Sequence, residues 1–220
     1  MQTHARMDNT QRMISLLGRV RKQMNGAVAE SMANDGENYG LNYGVSIATL
    51  REIAATEQQD HDFAKYLFQQ QVRELRLIAC HLAEPAKVDI HDFPFWARGI
   101  RNPELAEELA FALLSKIYDI NSLMGIWTTE SSELISYAAL MAASRNKRTT
   151  SEVAFIAAEK SVKAYPASRN IAHGIVALIC YIAENDKSVK VGIPTLLDSM
   201  PDGPVKDYVS EELSWRIDFL

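Results

Sequence analysis

Apolar residues recur along this chain at helical spacing almost everywhere. In "SSELISYAALMAAS" (residues 131–144) Leu134, Tyr137, Ala138 and Met141 follow i, i+3, i+4, i+7 and mark one face of a helix. Leu75, Ile78, Ala79 and Leu82 repeat the spacing in 72–83, and Ile171, Ile175, Leu178, Ile179 and Ile182 nearly repeat it in 168–184. Start signals agree with the periodicity. Asn102-Pro103-Glu104 offers a cap, a proline at the first helical position and an acid in the first turn. Thr149-x-x-Glu152 fits a capping box, and Ser46 is placed to cap "IATLREIAATEQ". Strand-like alternation is almost absent, so the pattern predicts an all-α protein. Its helices are expected near 9–33, 46–58, 61–70, 72–84, 90–100, 103–118, 120–128, 131–144, 151–165, 168–185, 188–199 and 204–218.

Short connections between these segments predict antiparallel helix hairpins. Aligning the second helix of each hairpin brings together Glu74-Leu75, Glu108-Leu109, Glu133-Leu134 and Glu212-Leu213, with Asn170-Ile171 as a weaker member. The intervals along the series are 34, 25, 37 and 42 residues, an irregular period of the size of two-helix HEAT or armadillo repeats. One hairpin cannot bury its stripe alone; stacked hairpins share a continuous core. The expected architecture is a curved α-solenoid of HEAT-like antiparallel helix hairpins, forming a single domain over 1–220. Residues 1–45 hold an N-terminal helix and the Gly- and Tyr-rich "NDGENYGLNYGVS" loop, and 46–220 hold the stacked repeats.

Composition adjusts this picture only slightly. Hydrophobic residues make up 47% and charged residues 23%, as in ordinary globular proteins. A formal charge of −5 argues against indiscriminate nucleic-acid binding but leaves room for a local basic stripe. No apolar run approaches the roughly 18–20 residues that cross a bilayer, and "MQTHARMDNTQRM" has no signal-peptide core. A cytoplasmic protein with no membrane partner is expected. Cys80 and Cys180 fall inside apolar helices and read as reduced core thiols.

Candidate chemistry is sparse. The chain has no nucleotide-binding glycine pattern, zincin histidine pair or cysteine knuckle, and neither a cofactor nor a metal is expected. Asp89, His91 and Asp92 in "VDIHDF" read as capping and first-turn groups ahead of a helix, and His173 as a packing residue. Ser131 and Ser132 stand at a helix start, not on a nucleophile elbow. Basic residues are more suggestive: Arg145, Lys147 and Arg148 in "SRNKRTT", Arg169 in "ASRN", and earlier Arg73, Arg76, Arg98 and Arg101. Two readings stay open: solvated loops with cations at helix C-termini, or turns aligned by stacking into a phosphate-binding stripe.

"MNGAVAESM", "NYGVSIATLREIA", "FAKYLF" and "VRELRLIACHLAEP", followed by "AEELAFALLSKI" and "SSELISYAALMAAS", resemble the AlkD-like DNA alkylation repair family over about residues 12–190. The resemblance implies a solenoid of HEAT-like repeats whose concave face binds duplex DNA. It also implies, for catalytic members, excision of cationic N3- or N7-alkylpurines by an Asp near the scissile bond, with aromatic residues beside the DNA. The family's Trp-Asp-x-x-Asp pattern falls on "PELAEEL", with Pro103 at the Trp and Glu107 at the catalytic Asp. Its two Trp-x-x-Arg patterns fall on Leu134 and Tyr137, then on Ala177 and Cys180. Glu107 is thus the catalytic candidate, while Arg145, Lys147, Arg148, Arg169, Arg76 and Tyr137 are the DNA-binding candidates. Trp96, Trp127 and Trp215 are the available tryptophans. The other reading is a non-catalytic HEAT-repeat scaffold for a protein partner, which the acidic balance favours.

Overall fold

Several helix starts in this chain follow the caps written in its sequence. In the computed structural model, which describes residues 8–34, 39–130 and 132–216, Asp8, Ser46, Asp60, Asn102 and Ser168 each accept a backbone N–H at the head of a helix. The helices are α1 (Asn9–Arg21), α2 (Gly26–Asn34), α3 (Ile47–Ala55), α4 (His61–Phe68), α5 (Arg73–Leu82), α6 (Phe93–Gly99), α7 (Pro103–Ala112), α8 (Ile120–Trp127), α9 (Glu133–Ala143), α10 (Ser151–Ala164), α11 (Arg169–Asn185), α12 (Ile193–Ser199) and α13 (Pro204–Arg216). Beside them, the described residues hold one isolated bridge, Leu41 to Val72. The all-α expectation holds. The chain divides into two compact units, Met1–Glu84 and Pro85–Leu220.

In the first unit α4 and α5 form a hairpin whose Phe63, Leu67, Leu75 and Ile78 are buried, with α3 against α5 and α1 against both α3 and α4. Arg12 reaches Asp60 at 2.7 Å and lies over the Phe63 ring, and Arg19 pairs with Glu57. The single helix expected over 9–33 is broken at Lys22–Asn25. Asn25 leaves the helix because its N–H is taken by Tyr43 O at 2.8 Å, while its own carbonyl and side chain receive Ala29 N–H and Val28 N–H.

Residues 39–45 are held as a strap across this unit. Leu41 N–H bonds Gln71 O, and Arg73 N–H returns to Leu41 O. Glu74, fully buried, accepts from the N–H groups of Tyr43 and Val45 and from the Arg73 guanidinium, which also donates to Val45 O at 2.8 Å. An acid at the head of α5 is therefore an anchor for the strap. Gly44 sits at φ +69 so close to α2 that a Cβ there would stand 2.1 Å from Asn25 O.

In the second unit the helices form two rows. α7, α9, α11 and α13 pack one against the next, and α8, α10 and α12 pack alongside, each of α8 and α10 forming a hairpin with the helix that follows. The long row runs parallel. Glu107 meets Tyr137, Glu133 meets Asn170, and His173 meets Tyr208 at matching depths along their helices. Gly174 allows α11 this close to α9, since a Cβ would lie 3.0 Å from Leu140 Cβ and 3.3 Å from the Tyr137 ring. Trp96, Phe93 and Trp127 are fully buried, the last two edge to face at 6.3 Å.

Several local expectations are corrected. The helix expected over 103–118 ends at Ala112; a 3-10 turn follows at Leu114–Lys116, and the Asn146 side chain takes Ile117 O at 2.8 Å. Residues Lys187–Gly192 are 3-10, and α12 begins only where Pro194 fits the first turn. The capping box at Thr149 does not form: Thr150 is the cap residue, with no side-chain bond, and the Thr149 hydroxyl donates to Ala143 O instead. Glu74 and Glu133 do stand at helix starts, but Glu108 lies mid-helix and Glu212 in the C-terminal half of α13, so the Glu-Leu series is not one structural register. Asp89 accepts the His91 N–H at 2.8 Å ahead of α6, and Ser131 lies outside the described residues.

Candidate nucleic-acid interface

Alternate turns of α9 decide which side of the long row stays open. Its wall is buried almost all round, and Leu134 and Met141, expected in the core, are half-exposed instead. α9 is enclosed by α7, α8, α10 and α11; along its i, i+3, i+4, i+7 line Tyr137 and Ala138 are buried, and Leu134 and Met141 at the two ends reach partway to solvent. The matching line on α11 is His173, Ala177 and Cys180, all half-exposed.

Glu107 on α7 and Tyr137 on α9 meet on this side. The Tyr137 hydroxyl donates to Glu107 Oε1 at 2.6 Å. Burial, then the Glu107 hydrogen bond and charge, push the Tyr137 pKa well above its ordinary value, with Arg145 opposing. Arg145 lies with its guanidinium 3.9 Å from the centroid of the Phe111 ring, one turn beyond Glu107. Sequence reasoning paired neither Tyr137 with Glu107 nor Arg145 with Phe111. Further along, burial raises the Cys180 thiol pKa, with Arg216 opposing, so this thiol is not an activated nucleophile.

The "SRNKRTT" segment closes the C-terminal end of α9. Asn146, buried, donates to Ile117 O and accepts the Arg148 N–H at 2.9 Å. Asn121 spans from α8, donating to Arg148 O and accepting the Thr150 N–H. So pinned, the turn exposes Arg145, Lys147 and Arg148, none of which forms an ion pair with any described residue. Arg148 stands 4.8 Å from the Tyr118 ring centroid, and exposed Lys116 precedes Tyr118 in the adjoining turn. Lys147 lines a cavity of about 460 Å³ with Tyr181, Asn185 and Asp186.

The other candidates lie elsewhere. Arg169 is exposed at the opposite end of the row, roughly 16 Å away by the length of α9, in a cavity of about 310 Å³ lined by Ser168, Pro204 and Tyr208. Arg76 is buried in the first unit, its Nε donating to Gln70 O at 2.7 Å. Of the tryptophans, Trp96 and Trp127 are core residues and Trp215 is half-exposed on α13. Among the described residues no cluster of acids, histidines or cysteines suits a metal ion, and no helix is long and apolar enough to cross a membrane.

Parallel second helices stacked in a row, with their partners alongside, define a HEAT-like helical repeat protein. The family model for DNA alkylation repair enzymes matches residues 17–168, and the chain belongs to that family. It is similar in fold to a solved structure described as a new family related to the HEAT-like repeat DNA glycosylases, with affinity for branched DNA structures. That likeness has a TM-score of 0.69 at 15% identity and covers 95% of each chain. No curated protein matches the chain in sequence.

Proposed function

We propose that this protein binds DNA through its phosphate backbone, at the end of the α7–α9 row, without excising bases. The observation that carries the reading is the turn after α9: three cations without an acidic partner among the described residues, on a backbone held by Asn146 and Asn121. Phosphate contacts of this kind position a duplex and carry no sequence information.

Excision asks for more than binding. Breaking an N-glycosidic bond builds positive charge on the sugar, which a free carboxylate stabilises. Glu107 stands where the family resemblance puts that acid, yet it already accepts the Tyr137 hydroxyl at 2.6 Å. Phe111 beside it is covered by Arg145, and the two tryptophans of the core offer no face to a cationic base. The similar structure's affinity for branched DNA makes forked and junction DNA the natural substrates to compare with plain duplex.

Two measurements test the reading. Duplex binding at low salt is expected, to be lost in the triple variant Arg145→Ala, Lys147→Ala, Arg148→Ala while the fold, read by circular dichroism, is kept. From duplex carrying N3- or N7-alkylpurines, the wild type should release no more base than Glu107→Gln. Base release that depends on Glu107 would make it a glycosylase. Wild-type protein that ignores DNA at low salt would hand the role to a protein partner, as the net charge of −5 suggests.

A further inference from the structure

One aromatic ring on this surface is left largely uncovered. Tyr118 is 72% exposed in the turn between α7 and α8, although most large apolar side chains of the unit are buried. A single exposed ring is unremarkable by itself, but three features set this one apart.

First, the Arg148 guanidinium lies near the ring at 4.8 Å from its centroid, and the exposure leaves much of the ring uncovered. Second, the ring is carried on fixed backbone: Ile117 before it is buried with its carbonyl held by Asn146, and Arg148 is held on both sides of its peptide by Asn121 and Asn146. Third, exposed Lys116, Arg145 and Lys147 lie on the same two turns and form no ion pair with any described residue. Asp119, half-buried after Tyr118, is the acid nearest in sequence.

We infer that Tyr118, backed by Arg148, is a stacking platform for an unpaired DNA base, with Lys116, Arg145 and Lys147 on the flanking phosphates. The inference rests on the DNA-binding reading and adds to it a substrate class: duplex bearing unpaired nucleotides. In an intact duplex every base face is already covered by its neighbours, so an exposed ring gains little there. Where a base has left the stack, its π-face is open to an aromatic side chain, and the contact is indifferent to sequence. The ring and four cations that form no ion pair with a described residue complement a polyanion with an exposed base. They do not complement an apolar helix, which would leave the cations stranded.

The test compares two labelled DNAs of equal length, an intact duplex and a duplex with a short single-stranded fork, at fixed low salt. Wild-type protein should prefer the fork. Tyr118→Ala should weaken fork binding about tenfold, in the range that base–aromatic stacking supplies, and leave duplex binding within about twofold; Tyr118→Trp should keep the preference. A 2-aminopurine at the first unpaired position should be quenched on binding the wild type but not Tyr118→Ala. An equal loss on both DNAs, or no loss, overturns the platform and leaves backbone binding standing. No binding to either DNA overturns both.

Discussion

Tyr137 is a core side chain that carries its polar end to a half-exposed carboxylate. Its ring lies against Gly174 and Leu140 inside the row, while its hydroxyl ends on Glu107. A hydrogen bond to a carboxylate contributes about 1.5–3 kcal/mol when well buried, and the half-exposed Glu107 brings this to the low end. Tyr137→Phe is accordingly expected to lower stability by about 1–2 kcal/mol in urea denaturation. The pH dependence has a defined sign. With the folded pKa above the unfolded value of about 10, the contribution is whole below pH 10 and is lost as the pH climbs past it, because the unfolded chain ionises first. Wild type should therefore lose stability between pH 9 and 11 more steeply than Tyr137→Phe, measured by thermal melts at each pH.

Two connections govern the placement of whole elements. The 39–45 strap turns at Gly44, where any side chain meets the α2 backbone at positive φ. Gly44→Ala should destabilise the protein by about 2–4 kcal/mol, the sum of left-handed strain and overpacking, read as a lower urea midpoint. The second connection is the turn after α9. Asn146→Ala removes a buried amide that ties two turns together. It is expected to cost about 1–2 kcal/mol and, by freeing Arg145, Lys147 and Arg148, to weaken DNA binding severalfold in a filter or anisotropy assay. A variant that loses stability but keeps its affinity would show that the cations find phosphates without being held.

For the molecule as a whole, charge is a matter of distribution. The chain carries −5 overall, so any attraction for DNA comes from the local group of Lys116, Arg145, Lys147 and Arg148 and not from the net field. Three phosphate contacts where Arg148 stays behind Tyr118, or four where it too reaches the backbone, predict a slope of about −3 to −4 for log K against log salt. Each single Lys or Arg to Ala change should reduce that slope by about one. A steeper wild-type slope would bring Arg169 or the exposed Arg98 and Arg101 into the interface; a flat one would remove the backbone from it.

The sequence by itself determined the all-α class, most of the helices, their caps at Ser46 and Asn102, and the family, because periodicity and capping are local physics written within a few residues. It misread what depends on neighbours far along the chain. Asn25 breaks the first helix only because Tyr43 is there to receive its N–H. Leu134 and Met141 look like core, yet where α7, α8, α10 and α11 enclose α9 they reach partway to solvent at the two ends of its stripe. The basic stripe separated for the same reason: parallel packing sends Arg169 to one end of the row and the Arg145–Arg148 turn to the other, where Tyr118, never singled out in the sequence, stands beside it. Which residues share a surface is set by packing between helices, and no period along one helix records it.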